Sequence, residues 1–417
     1  MRNLISQLAF LFFSTGVRRK LEGLVGHVVT GYAAAVAVWT TYQATLSSID
    51  VLALSIIFLS LMLVLVFILI GSSSTSLKTK PSLADYSLAA CSLFVGIYFV
   101  LNIPEISTRI SLFNDLSSTQ HFFSTLLILL TLEATRRTVG AGLMFIVVLF
   151  IIYNLYGDFF EGPLRHGEIT SDHFLDISVF TSDGLFGIPI RVAATYAFVF
   201  VMFGTFLEKA KGGDFFFNIA ALISGNSPGG PAKVAVFSSA LFGTVSGSPT
   251  SDVVTTGSIT IPMMKRLGYS GSLAGAVEVA ASTGGSLLPP IMGSAAFIMA
   301  EFTGIPYSQI IIAALIPALL YYLGVYLQVH LRSLKLGLNP MPTDSMPSLN
   351  ETLVFGWVFL VPLIAMIIAL VNGYSPTYVA VFGTFALLVV SQFKKDTRIT
   401  IKSFYECLAY TTIRMVS

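Results

Sequence analysis

Residues 243–258 read GTVSGSPTSDVVTTGS, a polar stretch with apolar sequence on both sides. The whole chain of 417 residues is 55% hydrophobic and 11% charged, and its mean hydropathy is +0.83. Soluble domains carry about 25% charged residues, so this composition indicates a polytopic membrane protein. Serines, threonines and an aspartate between membrane segments need an explanation, because polar groups are costly in lipid.

The composition also argues against several classes of function. The net charge of +2 is too small to indicate a nucleic-acid partner. The two cysteines, Cys91 and Cys407, are isolated and lack CxxC spacing, which is not the pattern of a metal site or of a disulfide framework. We therefore expect neither a nucleic-acid partner nor a bound cofactor.

Long apolar segments recur along the chain. A membrane-spanning helix needs about 20 mostly apolar residues. Candidate spans lie at 24–46, 51–70, 84–103, 122–132, 139–156, 185–207, 309–329, 353–371 and 376–393. The short candidate at 122–132 extends to 117–135 in the same register. Together with two interrupted segments described next, these spans predict an all-α fold with about ten membrane segments.

Basic residues indicate the orientation of the chain, because lysine and arginine accumulate in cytoplasmic loops. Arg18, Arg19 and Lys20 place the N-terminus in the cytoplasm. The loop 158–183 then falls outside, and it carries Asp and Glu residues with a single arginine, Arg165. We expect a multi-pass protein of a bacterial or archaeal plasma (inner) membrane.

The quoted stretch predicts a re-entrant hairpin. The interval 234–264 is too short for two full spans, and a single span would leave Lys265 and Arg266 outside. A first limb, 234–242, and a second limb, 253–264, place the polar tip between them at membrane depth. Non-helical backbone is tolerated there only when it is buried in protein or lines a wet cavity. The hairpin therefore predicts that a hydrophilic group binds at its tip.

The next segment, 272–302, is long enough to span but is interrupted by STGGSLLPPIMGS at 282–294. Two glycines and two prolines do not continue a helix. Glu278 precedes the interruption by one turn, and it is either a functional acid or a structural acid paired to a hydroxyl or an amide. Neighbouring interrupted helices are typical of binding sites in secondary transporters.

Four stretches carry a family resemblance: GGPAKVAVFSSALFGTVSGS, TTGSITIPMMKRLGY, GAVEVAASTGG and PPIMGSAAFIMAEFTGIPY. Together they resemble the large membrane subunit of TRAP transporters, which are tripartite, ATP-independent periplasmic uptake systems. The similarity is greatest to fused permeases that pair with TAXI-type solute-binding proteins, in which a small four-helix subunit precedes the large one. It covers residues 130–340 well and the first 130 residues by layout only.

The resemblance implies an elevator-type fold and sodium-coupled uptake of a small organic anion, a carboxylate, in contact with membrane lipid. It also implies a periplasmic TAXI-type solute-binding protein, with sodium as the coupling ion. The residues that it implies for ion and substrate binding are Gly243, Ser246, Gly247, Ser248, Asp252, Glu278, Ser282, Thr283, Gly284, Gly285, Pro289 and Pro290. Sodium itself is expected at Ser246, Ser248, Asp252 and Ser282.

The same layout predicts four regions along the chain. They are a small-subunit-like four-helix region at 1–135, a linking helix and outer loop at 136–184, the first repeat of the transport region at 185–340, and scaffold helices with the start of a second repeat at 341–417.

Two features depart from the family. The tip reads SPTSD where the family usually has small residues and asparagine, so Asp252 either adds a charge to a cation site or spoils a neutral one. The second family hairpin is not reached before Ser417.

Two other functions stay open at this point. One is a truncated, non-transporting remnant or an assembly scaffold, because the second repeat lies outside the chain. The other is an intramembrane enzyme with Ser246 as nucleophile, but no histidine at membrane depth near the tip is available as a base. An aspartyl mechanism would have to use Asp252 and Glu278, and no second transmembrane aspartate motif is present. We therefore expect a transporter rather than an enzyme.

Overall fold

The structure is a computed structural model, and it describes residues 14–47, 49–342 and 346–416. Helices make up the regular structure of these residues, which confirms the all-α fold class. The described chain divides into two compact units. The first runs to Ala194 and includes the end of the last helix from Thr412, and the second runs from Thr195 to Thr411.

The first unit combines long apolar helices with short connecting ones. Its helices are α1 Gly23–Thr45, α2 Val51–Leu69, α3 Leu83–Leu101, α4 Ile103–Thr108, α5 Ser118–Thr138, α6 Ala141–Tyr156, α7 Ser171–Val179 and α8 Ile188–Val192. Capping boxes begin α3 and α5, where Ser82 pairs with Asp85 and Ser117 pairs with Gln120. Such reciprocal caps satisfy backbone N–H groups that a helix start leaves without partners.

A buried charge network joins helix ends within the first unit. The Asp85 carboxylate lies 2.6 Å from Arg19 Nη2 and 2.6 Å from Arg137 Nη1, and all three side chains are buried. Both guanidinium groups also donate to carbonyl oxygens between residues 67 and 70, at the end of α2. Buried charges are tolerated when they are paired and hydrogen-bonded, so this network fixes the end of α2 against the start of α3.

The second unit begins within a π-helical turn, Ala193–Ala197. Its helices are α9 Phe198–Lys209, α10 Gly212–Ser224, α11 Gly230–Ser246, α12 Pro249–Thr255, α13 Gly257–Arg266, α14 Gly271–Gly285, α15 Ser294–Thr303, α16 Tyr307–Lys335, α17 Leu349–Val371, α18 Pro376–Ser391 and α19 Ile401–Met415. An apolar cluster lies among α11, α13, α14 and α16, and it contains Ala232, Ala235, Val236, Met264, Tyr269, Ala274, Val277, Ala281 and Val329. The many alanines let these helices approach closely.

Several helices have the length and composition of membrane spans. Seven qualify among the described residues: Gly23–Thr45, Val51–Leu69, Leu83–Leu101, Ala141–Phe159, Ile188–Lys209, Tyr307–Lys335 and Leu349–Val371. This finding confirms a multi-pass membrane protein. The candidates at 122–132 and 376–393 are helical, as α5 and α18, but are not among the seven. α5 ends with the charged residues Glu133, Arg136 and Arg137, and α18 has only 16 residues.

Candidate ion and substrate site

Helices α11, α12 and α13 form a hairpin whose tip has only two non-helical residues, Gly247 and Ser248. Gly247 has a φ of +58°, which is left-handed backbone that favours glycine and ends α11. Ser248 is the N-cap of α12, and Pro249 occupies the first helical turn, where a missing N–H costs nothing. The prediction of a non-helical tip at 243–252 is therefore too long. Residues 243–246 belong to α11 and residues 249–252 belong to α12.

Polar side chains face each other across the hairpin. Near the tip, Ser246 Oγ donates a hydrogen bond to Asp252 Oδ1. Two turns further from the tip, Ser239 Oγ and Thr256 Oγ1 are 2.9 Å apart. The two limbs therefore run antiparallel and in contact, and both limbs also pack against α14.

α11 and α14 meet where each helix has a glycine. A Cβ on Gly243 would lie 2.3 Å from Gly285 Cα, and a Cβ on Gly285 would lie 2.8 Å from Gly243 Cα. Real Cβ atoms do not approach so closely, so neither position accepts a side chain without a shift of backbone. Small residues of this kind allow close contact between membrane helices. We call this contact the glycine crossing.

Asp252 lies beside the glycine crossing and is fully buried. Its Oδ1 accepts from Ser246, whereas its Oδ2 has no hydrogen-bond partner among the described residues. A Cβ on Gly285 would lie 2.5 Å from Oδ2, and one on Gly243 would lie 3.0 Å from it. A buried carboxylate oxygen without a donor is costly. Oxygen atoms of this kind are the ligands that hard cations prefer, so the geometry fits a bound cation.

Glu278, on α14, is the second fully buried acid of this region. Its Oε1 lies 2.5 Å from Thr256 Oγ1, 3.0 Å from Ser239 Oγ and 3.5 Å from Ser282 Oγ. Thr260 Oγ1 donates to Oε2. The carboxylate is therefore surrounded by hydroxyl groups from both limbs of the hairpin and from its own helix.

The interruption after α14 is a loop of residues 286–293, which begins later than the sequence predicts because helix continues to Gly285. Pro289 and Pro290 are joined by a cis peptide bond. The Tyr307 hydroxyl, on α16, donates to Pro290 O at 2.9 Å and lies 3.4 Å from Met292 N, which donates to it. One buried tyrosine thus holds the loop at two points.

The loop 286–293 also contacts the hairpin. Ile291 N donates to Thr244 O at 3.0 Å, and a Cβ on Gly247 would lie 2.6 Å from Met292 O. Hydrogen bonding and close backbone packing therefore join the loop to the end of α11. The tip of the hairpin and the interruption of the next helix lie together in space, next to Asp252.

The predicted site residues fall into different surroundings. The glycine crossing and its acid bring together Gly243, Ser246, Asp252 and Gly285, while Ser282 bonds to Glu278 and Gly247 contacts the loop that contains Pro290. Others are occupied elsewhere: Ser248 Oγ lies 3.2 Å from Thr250 Oγ1, Thr283 is exposed and bonds to Val279 O, and Gly284 packs on Tyr321 and Tyr322. Among the four residues expected at sodium, a hydrogen bond links the side chains of Ser246 and Asp252.

The sequence interpretation missed Ser239, Thr256 and Thr260, which surround Glu278, and Tyr307, which holds the loop 286–293. A signal for two of them exists. Thr256 and Thr260 recur at helical spacing in an apolar run, as Glu278 and Ser282 do, so each pair lies on one helix face. Buried hydroxyls on facing helices predict a shared acceptor.

Residues 126–417 match the family model described as "Tripartite ATP-independent periplasmic transporter, DctM component". The chain belongs to this TRAP transporter family. Its members are transport permeases, so the chain is not an enzyme.

Curated relatives carry names of the same TRAP class. The chain is 28% identical over 231 residues to the C4-dicarboxylate TRAP transporter large permease protein of Pseudomonas aeruginosa, covering 52% of this chain and 53% of the relative. It is 24% identical to the isethionate TRAP transporter permease protein of Oleidesulfovibrio alaskensis, covering 58% and 37%. It is 26% identical to the sialic acid TRAP transporter permease protein of Haemophilus influenzae, covering 47% and 32%. These alignments span about a third to about a half of each relative.

Proposed function

We propose that this TRAP permease couples the uptake of a small organic anion, a carboxylate, to sodium, and that Asp252 binds the ion. The single observation that carries this proposal is Asp252 Oδ2, which is fully buried and has no hydrogen-bond partner among the described residues. A monovalent cation at this oxygen compensates the buried charge. Ser246 then holds the other carboxylate oxygen in place.

The position of Asp252 supports coupling between the ion and an anion. The acid lies beside Ser246 and the glycine crossing, and the loop that follows Gly285 bonds to α11 through Ile291 N and Thr244 O. A cation bound there neutralises the acid, which would otherwise repel an anionic substrate. Each ligand therefore increases the affinity for the other. Relatives named for C4-dicarboxylate, isethionate and sialic acid support an organic anion as substrate.

The remaining parts of the proposal concern the assembly. The binding-protein partner is of the TAXI type, and residues 1–135 form the small-subunit-like region that precedes the large subunit. Support for this small-subunit-like region is that three candidate spans, α1, α2 and α3, lie ahead of the family match, which begins at residue 126. The chain lies in a bacterial or archaeal plasma membrane with its N-terminus in the cytoplasm, as the basic residues at 18–20 indicate.

The test uses the chain with the rest of its transporter and its binding protein in proteoliposomes. Asp252→Asn removes the charge but keeps the size of the side chain. We expect the sodium concentration for half-maximal uptake to rise at least about tenfold, because a lost ion ligand weakens binding by more than a lost supporting contact. The control is Asp214→Asn, which changes an exposed acid at the start of α10.

Two outcomes would contradict the proposal. An unchanged sodium curve in Asp252→Asn would exclude Asp252 as the coupling site. If wild-type uptake depends on a proton gradient and does not depend on sodium, then sodium is not the coupling ion.

A further inference from the structure

We propose that Glu278 is a positioning residue, which holds both limbs of the hairpin against α14, and that it does not bind the transported ion. The sequence interpretation places both Asp252 and Glu278 among the candidate ion- and substrate-binding residues. Their hydrogen bonding distinguishes them.

The first argument is the number of hydrogen bonds that each carboxylate accepts. A carboxylate offers about four lone-pair sites. Four hydroxyls lie within hydrogen-bond distance of Glu278, and they come from Ser239, Thr256, Thr260 and Ser282. Both carboxylate oxygens of Glu278 therefore have a hydroxyl within hydrogen-bond distance, three at Oε1 and one at Oε2, whereas Asp252 Oδ2 has no partner among the described residues. An ion at Glu278 would have to displace hydroxyls that are already in place.

The second argument is where those hydroxyls come from. Ser239 belongs to the first limb, Thr256 and Thr260 belong to the second, and Ser282 lies on α14 with Glu278. One carboxylate therefore joins three helical segments. A side chain that accepts hydrogen bonds from both limbs stabilises the position of the hairpin, which is the role of a structural contact.

The third argument is the space around the side chain. A Cβ on Gly257 would lie 2.9 Å from Glu278 Cγ, so glycine on α13 is what lets the carboxylate lie between the limbs. The neighbouring side chains Val277 and Ala281 belong to the apolar cluster of the unit. A buried hydrogen-bonded network in apolar surroundings stabilises one arrangement of its helices, because a displacement leaves buried polar groups without partners.

The position of Glu278 on α14 links this contact to the ion site. Gly285 follows Glu278 by two helical turns and therefore lies on the same face of the helix. The hydroxyl contacts at Glu278 thus set how closely α11 approaches α14 at the glycine crossing. That approach determines the surroundings of Asp252 Oδ2.

Thermal unfolding of the purified full chain tests this role of Glu278. Only the comparison with sodium rests on the proposed function. Melting temperatures are compared in sodium chloride and in choline chloride, since a ligand that binds the folded state raises the melting temperature. We expect Asp252→Asn to lose the rise that sodium causes. We expect Glu278→Gln to lower the melting temperature in choline by on the order of 5 °C and to keep at least about half of the sodium-induced rise.

The opposite pattern would overturn the assignment. If Glu278→Gln abolishes the sodium-induced rise and leaves the melting temperature in choline unchanged, then Glu278 is an ion ligand. Rescue is a further criterion: Glu278→Ala, which has no acceptor, must lower the melting temperature more than Glu278→Gln does. Equal effects of the two variants would contradict a role through hydrogen bonding.

A double-mutant comparison keeps the test independent of sodium. Thr260→Val and Glu278→Gln are measured singly and together in choline chloride, and a positioning contact predicts that the combined shift is smaller than additive. The matched control is Thr303→Val, which also removes a hydroxyl bonded to a backbone carbonyl but lies outside the network. If the wild type shows no sodium-induced rise, the sodium proposal fails while this coupling still decides the role of Glu278. Strict additivity would refute that role.

Discussion

At the scale of single residues, the candidate site depends on glycines as much as on acids. Gly243 and Gly285 allow two helices to touch, and Asp252 Oδ2 lies where their side chains would otherwise be. A side chain at either position would fill the space beside the carboxylate. The acid supplies the charge, and the two glycines supply the room around it.

Gly285→Ala should therefore be harmful in two ways. Its new Cβ would lie 2.5 Å from Asp252 Oδ2 and 2.8 Å from Gly243 Cα, so the helices must separate. We expect a loss of about 1–3 kcal/mol in the free energy of unfolding, as for other overpacked contacts, together with weaker sodium dependence of uptake. Thermal unfolding and sodium-dependent uptake measure the two effects.

Gly275→Ala is the matched control, since it lies on the same helix and a Cβ there meets nothing within 4 Å. Alanine in an open helical position stabilises a helix by up to about 1 kcal/mol relative to glycine. If Gly285→Ala and Gly275→Ala change the free energy of unfolding equally, then close packing at the glycine crossing does not require glycine at position 285.

At the scale of elements, the loop after α6 shows how one side chain fixes a segment between helices. The His166 ring lies across this loop, with Nδ1 2.6 Å from Gly167 O and Nε2 3.0 Å from Tyr153 O. Both ring nitrogens donate at once only when the imidazole is protonated. These two backbone carbonyls raise the pKa of His166 above its usual value.

The loop should accordingly be more firmly held in mild acid than in mild base. Because the pKa of His166 is higher in the folded chain, its stabilising contribution is fully present below the unfolded value of about 6.5. It is lost as the pH rises through the folded pKa. Hydrogen exchange of residues 157–167, corrected for the intrinsic rate, should be faster at about pH 8 than at about pH 6.

His166→Gln should abolish this difference, while His173→Gln, a few residues further along the chain, should leave it intact. The backbone N–H of His173 donates to Thr170 Oγ1 at the start of α7, and its ring has no carbonyl partner among the described residues. Equal exchange at both pH values in the wild type would show that the His166 bonds do not hold the loop.

Element types were largely predictable, and their ends were less so. The interruption around Pro289 and Pro290 follows from backbone chemistry, since proline and glycine do not continue helices. The short tip was not predictable, because Pro249 begins a new helix as readily as it ends an old one. The contacts of Tyr307 with the loop and of the hydroxyls with Glu278 were not predictable. They depend on which helix faces pack together, and helical periodicity shows which residues share a face but not which helix that face contacts.

At the scale of the whole molecule, each unit has its own buried polar centre. In the first unit it is Asp85 with Arg19 and Arg137, and in the second it is the pair of acids at the hairpin. The first centre is an ion network in which every charge has a partner. In the second, Asp252 Oδ2 has no hydrogen-bond partner within the part of the chain that the structure describes, which is the arrangement expected of a binding site rather than of a structural contact.

Asp85→Ala should destabilise the first unit strongly. It leaves two buried arginines without their shared carboxylate, and loss of one partner from a buried ion pair costs about 3–5 kcal/mol. We expect rapid proteolysis in the segment 71–82 and a low yield of folded protein. The exposed acid Asp115 provides the control, because Asp115→Ala removes a carboxylate without unpairing a buried charge. Similar yields and proteolysis rates for the two variants would contradict the structural role of Asp85.

The glycine crossing also has a consequence for recognising similar chains in genomes. An aspartate in an apolar segment is a weak marker by itself, because many such acids are structural. A search can instead require the aspartate together with both glycines, at the spacing of Gly243, Asp252 and Gly285. Such a search selects sequences in which the carboxylate has space beside it, and not every sequence with an acid at this place. Genomes sorted in this way would separate permeases that share this charged tip from those whose tip is neutral.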